Sequence, residues 1–456
     1  MKKMLLCMSV LFMTGNLLYS QIFVPPGDGT LHQALAGAED GDVFQLAAGQ
    51  TYTESGYTEF GDIVEMDVTI EVDGDGSEKA IVKMETEREG DETITFFNVG
   101  DQASLTLRGI EFDGALNELP SANYLVTFTM GDVPTPILVK KITVENCYIH
   151  NLVDDVIAAG NGDMKYNVVV DSTIVDNVII TNTCTSIYYK YAGANYISLT
   201  NSTIHNINSY GLRIAGPVET GLPDNTPVVV IDHTTWYKTG VGDDAREMIQ
   251  GEKGPLLNPW MVTNSIFVDQ VNKDRTFINI KDNPGPGEEN DYLSTIASIC
   301  FWDIGQVNFR SHTVMDTLRM DPGFADPDNG DFTLPEHSPL FSLGTDGGPI
   351  GDPRWYIGVY GIKDDVPVVR SFALHQNYPN PFNPVTQISF DLEKAGWTTL
   401  AVYDLMGRER AVIVSENLHP GHYKYSFDAS GLSSGVYFYQ LGTAGQTLTR
   451  KMMYLE

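Results

Sequence analysis

Between residues 105 and 301 one phrase keeps returning: alternating apolar residues, then Asn or Asp, then a small residue and, soon after, another large apolar residue. It occupies 142–149 around Asn146, 168–174 around Asp171, 197–204 around Asn201, 230–236 around Asp232 and 261–267 around Asn264. Weaker copies stand at 105–112 around Gly109 and at 295–301 around Ser298. The anchors Asn146, Asp171, Asn201, Asp232 and Asn264 lie about 25 to 32 residues apart, which is the period of a solenoid and not of a sandwich. Each unit holds two or three short strands, so it can form one coil of a right-handed parallel β-helix, with inward residues stacked at roughly 4.8 Å. The Asn and Asp anchors are then expected at tight corners, where they tolerate left-handed backbone and hydrogen-bond along the stack. A solenoid leaves its core open at the ends. Residues 30–38 place Leu31, Ala34, Leu35 and Ala38 at helical spacing and read as a short capping helix.

Composition narrows the function classes. The chain has 456 residues, a net charge of −32, 42% hydrophobic residues, 22 Tyr and 20 Phe, enough for a large core of all-β type and the wrong sign for neutralising nucleic-acid phosphates. Residues 1–20 carry Lys2 and Lys3, an apolar run and Leu18, Tyr19 and Ser20 before Gln21, the pattern of a secretory signal peptide. No later run approaches the length of about 18 apolar residues that a membrane helix needs, so a mature chain without a transmembrane segment is expected. Three cysteines remain after the leader, Cys147, Cys184 and Cys300, and an odd, widely spaced set reads as core residues and not as a disulfide framework. Residues 371–456 hold six Lys or Arg against seven Asp or Glu, and the leader adds two lysines, so residues 21–370 carry a net −33. Solubility in a salty or extracellular setting accounts for such a surplus, and calcium is the one cofactor it could hold.

Residues 41–53 resemble the first coil of pectate-lyase-like β-helix proteins, and 321–355 resemble the close of secreted β-helix families, which implies one architectural unit over 21–360. Residues 361–371 read as a linker. Beyond it the run from Asn377 to Pro384 is too rich in proline to continue a coil. Residues 386–392, 399–404, 423–427 and 435–441 alternate as antiparallel strands of a small β-sandwich. The opening at 377–384, the phrase at 402–408, the phrase at 432–438 and the ending at 449–453 closely resemble the type A sorting domain of type IX secretion. That resemblance implies that the secretion machinery reads residues 372–456 and places the protein outside the cell or on its surface.

Chemistry is then expected in the β-helix. Residues on neighbouring coils form ladders, and the stretches holding Lys190 and Arg213 read as adjacent strands, with Tyr188, Tyr189, Tyr191 and Tyr210 as a sugar-stacking surface. The segment from Lys190 to Arg213 resembles that of the β-helical alginate lyase and chondroitinase B family, which implies β-elimination on an acidic, uronate-containing polysaccharide. In that reading Lys190 is the base, and Arg213 clamps the carboxylate or supplies the acid. The acidic calcium ligands of the family are replaced by Thr183 and Thr185, so charge neutralisation would fall to Arg213 and to amides such as Asn182. A second constellation, Asp154 and Asp155, resembles the paired aspartates of polygalacturonase-type hydrolases, although solvated loop carboxylates are the plainer reading. His150 and His205 stand at matching places in what read as successive units, a repetition that reflects turn geometry before metal binding. The same solenoid also serves non-catalytic, adhesin-like glycan binders, and a monomer is expected in either case.

Overall fold

The computed structural model describes residues 9–11, 20–54, 62–73, 78–84, 94–114, 122–129, 137–159, 168–189, 192–215, 227–241, 247–252, 260–271, 273, 276–280, 295–309, 313–345, 347–356, 373–374, 377, 380, 382–392, 396–404, 408–418, 421–443 and 446–454. Most of the leader, the whole linker, Lys190 and Tyr191 lie outside the described residues. The chain divides into two compact units, Met1–Asp364 and Asp365–Glu456.

The first unit is a parallel β-helix. Three strands make a coil: Ile137–Glu145, Tyr148–His150 and Asp155–Ala159 are followed by Val168–Asp176, Ile179–Thr183 and Thr185–Tyr189, and these by Gly193–Thr200, Thr203–Ile207 and Leu212–Ala215. Each strand pairs in parallel with its counterpart one coil on. The first and second strand positions merge into a 19-stranded sheet, and the third forms a nine-stranded sheet. Val, Ile and Phe dominate the inward positions because a parallel sheet wound into a coil buries a continuous face. The large apolar residues that close six of the phrases lie in one inward row, in which Phe112, Ile149, Ile180, Ile204, Trp236, Phe267 and Phe301 are successive partners; Ile174, which closes the phrase at Asp171, is half-buried in the first strand beside Thr143 and Ser198, and Ile180 takes its place. The last three rings of the row stack at 5.8 and 5.7 Å. The capping helix forms over Thr30–Leu35, with Leu31 fully buried and Ala34, Leu35 and Ala38 packed against the same core.

The corners follow the phrase, with one correction. Gly109, Asn146, Asn177, Asn201, His233, Asn264 and Ser298 all have φ between 47° and 71°, the left-handed region that Asn tolerates best among residues with a side chain. Asp171 and Asp232 are not corner residues. Asp171 is exposed in the middle of the nine-residue strand Val168–Asp176, where it accepts from Asn195 Nδ2 at 2.8 Å. Asp232 ends its strand one residue before the corner and serves the ladder as an acceptor. Asn264 Nδ2 donates to Asp232 Oδ1 at 2.9 Å, as Asn201 Nδ2 does to Asp176 Oδ1 at 2.8 Å. Asn177 Nδ2 donates to Asn146 Oδ1 at 3.3 Å. A second left-handed column runs through Asn151, Asn182, Asn206, Lys238, Asp269 and Asp303 at the end of the second strand position.

Residues 320–356 leave the coil path and fold back over the outside of the second strand position. Phe332, Leu334, Leu340, Ile350 and Tyr356 form a separate apolar cluster with Tyr237, Ile266, Val268 and Cys300. This clasp docks on the corner ladder. Asn264 Oδ1 accepts from Thr345 N at 2.8 Å, Gly351 N donates to Asn264 O at 2.7 Å, and Asp352 Oδ2 accepts from Thr203 Oγ1 at 2.6 Å. His205 packs edge-on to Phe332, and burial pushes its pKa down to about 4, so it is neutral at physiological pH. His150 and His205 share a row but stand two coils apart with Thr181 between them, a correction to their reading as neighbours.

The second unit packs a three-stranded and a four-stranded antiparallel sheet around one core, which includes Ile388, Phe390 and Phe427 from the first and Leu400, Val402 and Tyr439 from the second. Two strands not singled out in the sequence, Glu409–Leu418 and Gln446–Tyr454, complete the larger sheet.

Asn264 joins corner, ladder and clasp, so Asn264→Ala is expected to cost about 2–4 kcal/mol, from left-handed strain plus two or three lost hydrogen bonds. Asn264→Gly should recover the backbone part. Asp171→Ala, on an exposed strand face, should cost under about 1 kcal/mol. Denaturant unfolding of the three variants checks this order.

Candidate functional site

Along the nine-stranded sheet the register lines up Ile63, Asn98, Thr127, Ala158, Tyr188, Arg213, Gln250, Asn279 and Asn308, one residue per coil. The flanking positions Ile187, Leu212, Ile249 and Ile278 are fully buried in the core, so strand alternation turns this row the other way. In a chain holding 60 Asp and Glu, the row has no carboxylate and one charge, Arg213.

The neighbour that the register gives Arg213 is Tyr188. Arg213 Nη1 donates to Tyr188 Oη at 3.1 Å, and its guanidinium lies 4.6 Å from the Tyr210 ring centroid and 5.4 Å from that of Tyr188. Two ring faces hold the cation by cation–π attraction and fix a side chain that would otherwise sample many rotamers. A guanidinium held this way is suited to a carboxylate, which it can meet with two parallel N–H bonds.

The other expected site residues divide. Tyr189 is not a surface ring: it is fully buried, it shares the inward parity of Ile187, and its hydroxyl pairs with Thr173 Oγ1 at 2.7 Å. Tyr210 is only 6% exposed, its face covered by Arg213, so among the described tyrosines of this group Tyr188 is the partly exposed one. Asn182 is a left-handed corner residue whose amide donates to Asn151 Oδ1 at 3.4 Å, away from the Arg213 row. Lys190 and Tyr191 lie outside the described residues. Thr183 and Thr185 are buried, and neutral hydroxyls bring no charge to a cation. Among the described residues no three His, Cys, Asp or Glu side chains converge as a metal site.

Asp154 and Asp155 are not a pair of solvated loop carboxylates. Asp155 begins the strand Asp155–Ala159, in register with Thr185, and is 9% exposed. Burial pushes its pKa up to about 8, against the opposing pull of the Thr185 hydroxyl and N–H and of Arg213. At neutral pH it is mostly a neutral acid within electrostatic reach of Arg213. Asp154 is half-buried and accepts from Asn123 Nδ2 at 2.6 Å.

Gln250 had no signal in the sequence. It follows Arg213 in the row and is 4% exposed, and its side-chain oxygen Oε1 is buried with no hydrogen-bond partner among the described residues. Reading the row forward from Arg213 by one coil would have found the position, though not its burial.

Residues 376–454 match the secretion system C-terminal sorting domain family, and residues 229–355 match a domain of unknown function, DUF5123. The second match begins one coil beyond Arg213 and runs through the clasp. The sorting domain marks the chain for export by type IX secretion to the outside or outer surface of the cell. Among solved structures the chain is similar to the PL6 family alginate lyase AlyGC, with 18% identity and a TM-score of 0.43 over 66% of this chain and 39% of that one. The chain thus spans well under half the length of that lyase. No curated protein sequence matches.

Since Asp155 is raised from an unfolded value near 4 to about 8, folding favours its protonated form. Its contribution to stability is complete below pH 4 and falls progressively as pH rises to 8. Asp155→Asn, which keeps an acceptor for Thr185, is expected to flatten this dependence and to raise the melting temperature at pH 8 by a few degrees while changing little at pH 4. Thermal melts of both proteins across that range check it.

Proposed function

We propose that the β-helix is a polysaccharide lyase that acts outside the cell on an acidic, uronate-containing glycan. The observation that supports this most is the row Tyr188, Arg213, Gln250, in which the one cation rests against the rings of Tyr188 and Tyr210 and is flanked by neutral polar groups. A uronate carboxylate paired with Arg213 loses much of its negative charge, which acidifies the adjacent C5–H. Lys190, two residues after Tyr188 in sequence, takes that proton. The electron pair then forms the C4–C5 double bond as the C4–O bond breaks, and the departing oxygen is protonated by an acid, a role open to Arg213. Buried Thr183 and Thr185, standing where the family has acidic ligands, favour chemistry in which Arg213 and not calcium supplies the neutralising charge.

The same two threonines also support a second reading, a surface glycan binder that keeps the carboxylate clamp without turnover. The hydrolase alternative has less support, because Asp155 sits in the sheet wall and an Asp154 oxygen is taken by Asn123.

Incubation of the secreted protein with alginate, pectate and chondroitin, with and without calcium, should raise the ultraviolet absorbance of unsaturated uronate on one of them. Lys190→Ala should lower that rate by about 10²–10⁴-fold, the usual weight of a general base. Arg213→Lys should weaken the rate and the binding together. Binding with no absorbance rise on any glycan would move the protein to the binder reading.

A further inference from the structure

We propose that Gln250 reads a free hydroxyl on the sugar next to the uronate held by Arg213, so the site selects glycans that are unsubstituted at that position. This rests on the reading of Arg213 as the carboxylate clamp. Three observations support it. Gln250 is the register partner of Arg213, one coil on in the same row. Its side-chain Oε1 is a buried acceptor with no hydrogen-bond partner among the described residues, a condition that is unfavourable until a donor arrives. The row on either side has no carboxylate and no second cation, so the neighbouring subsite is built for a neutral group.

Geometry and donor chemistry then define the ligand. A pyranose spans about 5 Å, close to the roughly 4.8 Å between coils, so a glycan lying along the stack puts consecutive sugars over consecutive row positions. A carboxylate on Arg213 leaves the adjoining sugar over Gln250. An acceptor oxygen demands a donor, and the donor a uronate sugar offers is a hydroxyl; an acetyl or sulfate ester at that place offers none and leaves Oε1 unsatisfied. Sites that hydrogen-bond a substrate hydroxyl reject analogues lacking it far more strongly than apolar pockets reject an extra group.

The test uses the full secreted chain and two probes: a mannuronate hexamer with free hydroxyls, and the same hexamer chemically O-acetylated. Calorimetric titration should show the free hexamer bound about tenfold or more tighter than the acetylated one. Gln250→Met, similar in volume and lacking the acceptor, should bring the two affinities within about twofold of each other by weakening the first and sparing the second. Because it removes an unsatisfied acceptor, it should also hold or raise the melting temperature, whereas loss of a structural hydrogen bond would lower it. The inference is overturned if Gln250→Met leaves the discrimination intact, weakens both hexamers equally, or lowers the melting temperature. Arg213→Gln separates the two levels. If it abolishes binding of both hexamers while Gln250→Met changes nothing, the clamp stands and the hydroxyl reading fails. If Arg213→Gln changes nothing, or wild type binds neither hexamer, the clamp itself fails.

Discussion

The structure depends on the corner after the first strand of each coil, where one residue per turn adopts left-handed backbone. A parallel coil can keep its register only if the chain turns at the same place each time, because a slip of one residue exchanges the inward and outward faces of everything that follows. Asparagine meets the requirement twice over: it accepts the φ that most side chains resist, and its amide reaches along the stack to an acceptor at the corner of the preceding coil, Asn146 below Asn177, Asp176 below Asn201 and Asp232 below Asn264. The clasp uses the same groups, since Thr345 and Gly351 bond to Asn264. Without that register Tyr188, Arg213 and Gln250 would not share a row.

How much of this was legible follows from which residues carry a periodic signal. The closing apolar residues Ile149, Ile204, Trp236 and Phe267 announced themselves because they recur at fixed distance from a corner, and they form one buried row. The phrase misled where a coil holds two candidate corners. Asp171 and Asn177 both sit in apolar alternation, and only the length of the strand Val168–Asp176 decides between them. Parity explains the tyrosines: once Ile187 points inward, Tyr189 must follow it and Tyr188 must not, so the surface could have been read correctly from Ile187 alone. The clasp resisted reading for a different reason. Phe332, Leu334, Leu340 and Ile350 are carried on irregular chain with short 3-10 turns such as Pro339–Ser342, which has neither a strand nor a helix period.

The proposed binding of a polyanion by a β-helix of net charge −33 looks contradictory, and the surroundings of Arg213 bear on it. At physiological ionic strength charges beyond about 8 Å are largely screened, so the local arrangement decides what Arg213 can attract. The sheet row excludes Asp and Glu. Asp155 is a carboxyl that Arg213 acts on, and burial holds it largely neutral at pH 7. An ionised Asp155 would add a negative charge that acts on Arg213 and weakens its pull on any ligand carboxylate; the neutral acid does not. The cost is a buried polar group that the fold must tolerate, met in part by the Thr185 hydroxyl and N–H.

Export places a further demand on the fold, since a secreted chain meets oxidising surroundings that invite disulfides. Reactivity there belongs to the thiolate, and burial suppresses it: the Cys147 thiol is pushed up to about 11 and that of Cys300 to about 12, both in well-packed surroundings. Cohesion comes instead from repetition, with each coil covering the apolar edge of the last, a helix over the amino-terminal coil and an apolar clasp along the final ones. Stability of that kind is cumulative and local, so a site on the middle coils is supported from both sides, which is where Tyr188, Arg213 and Gln250 stand.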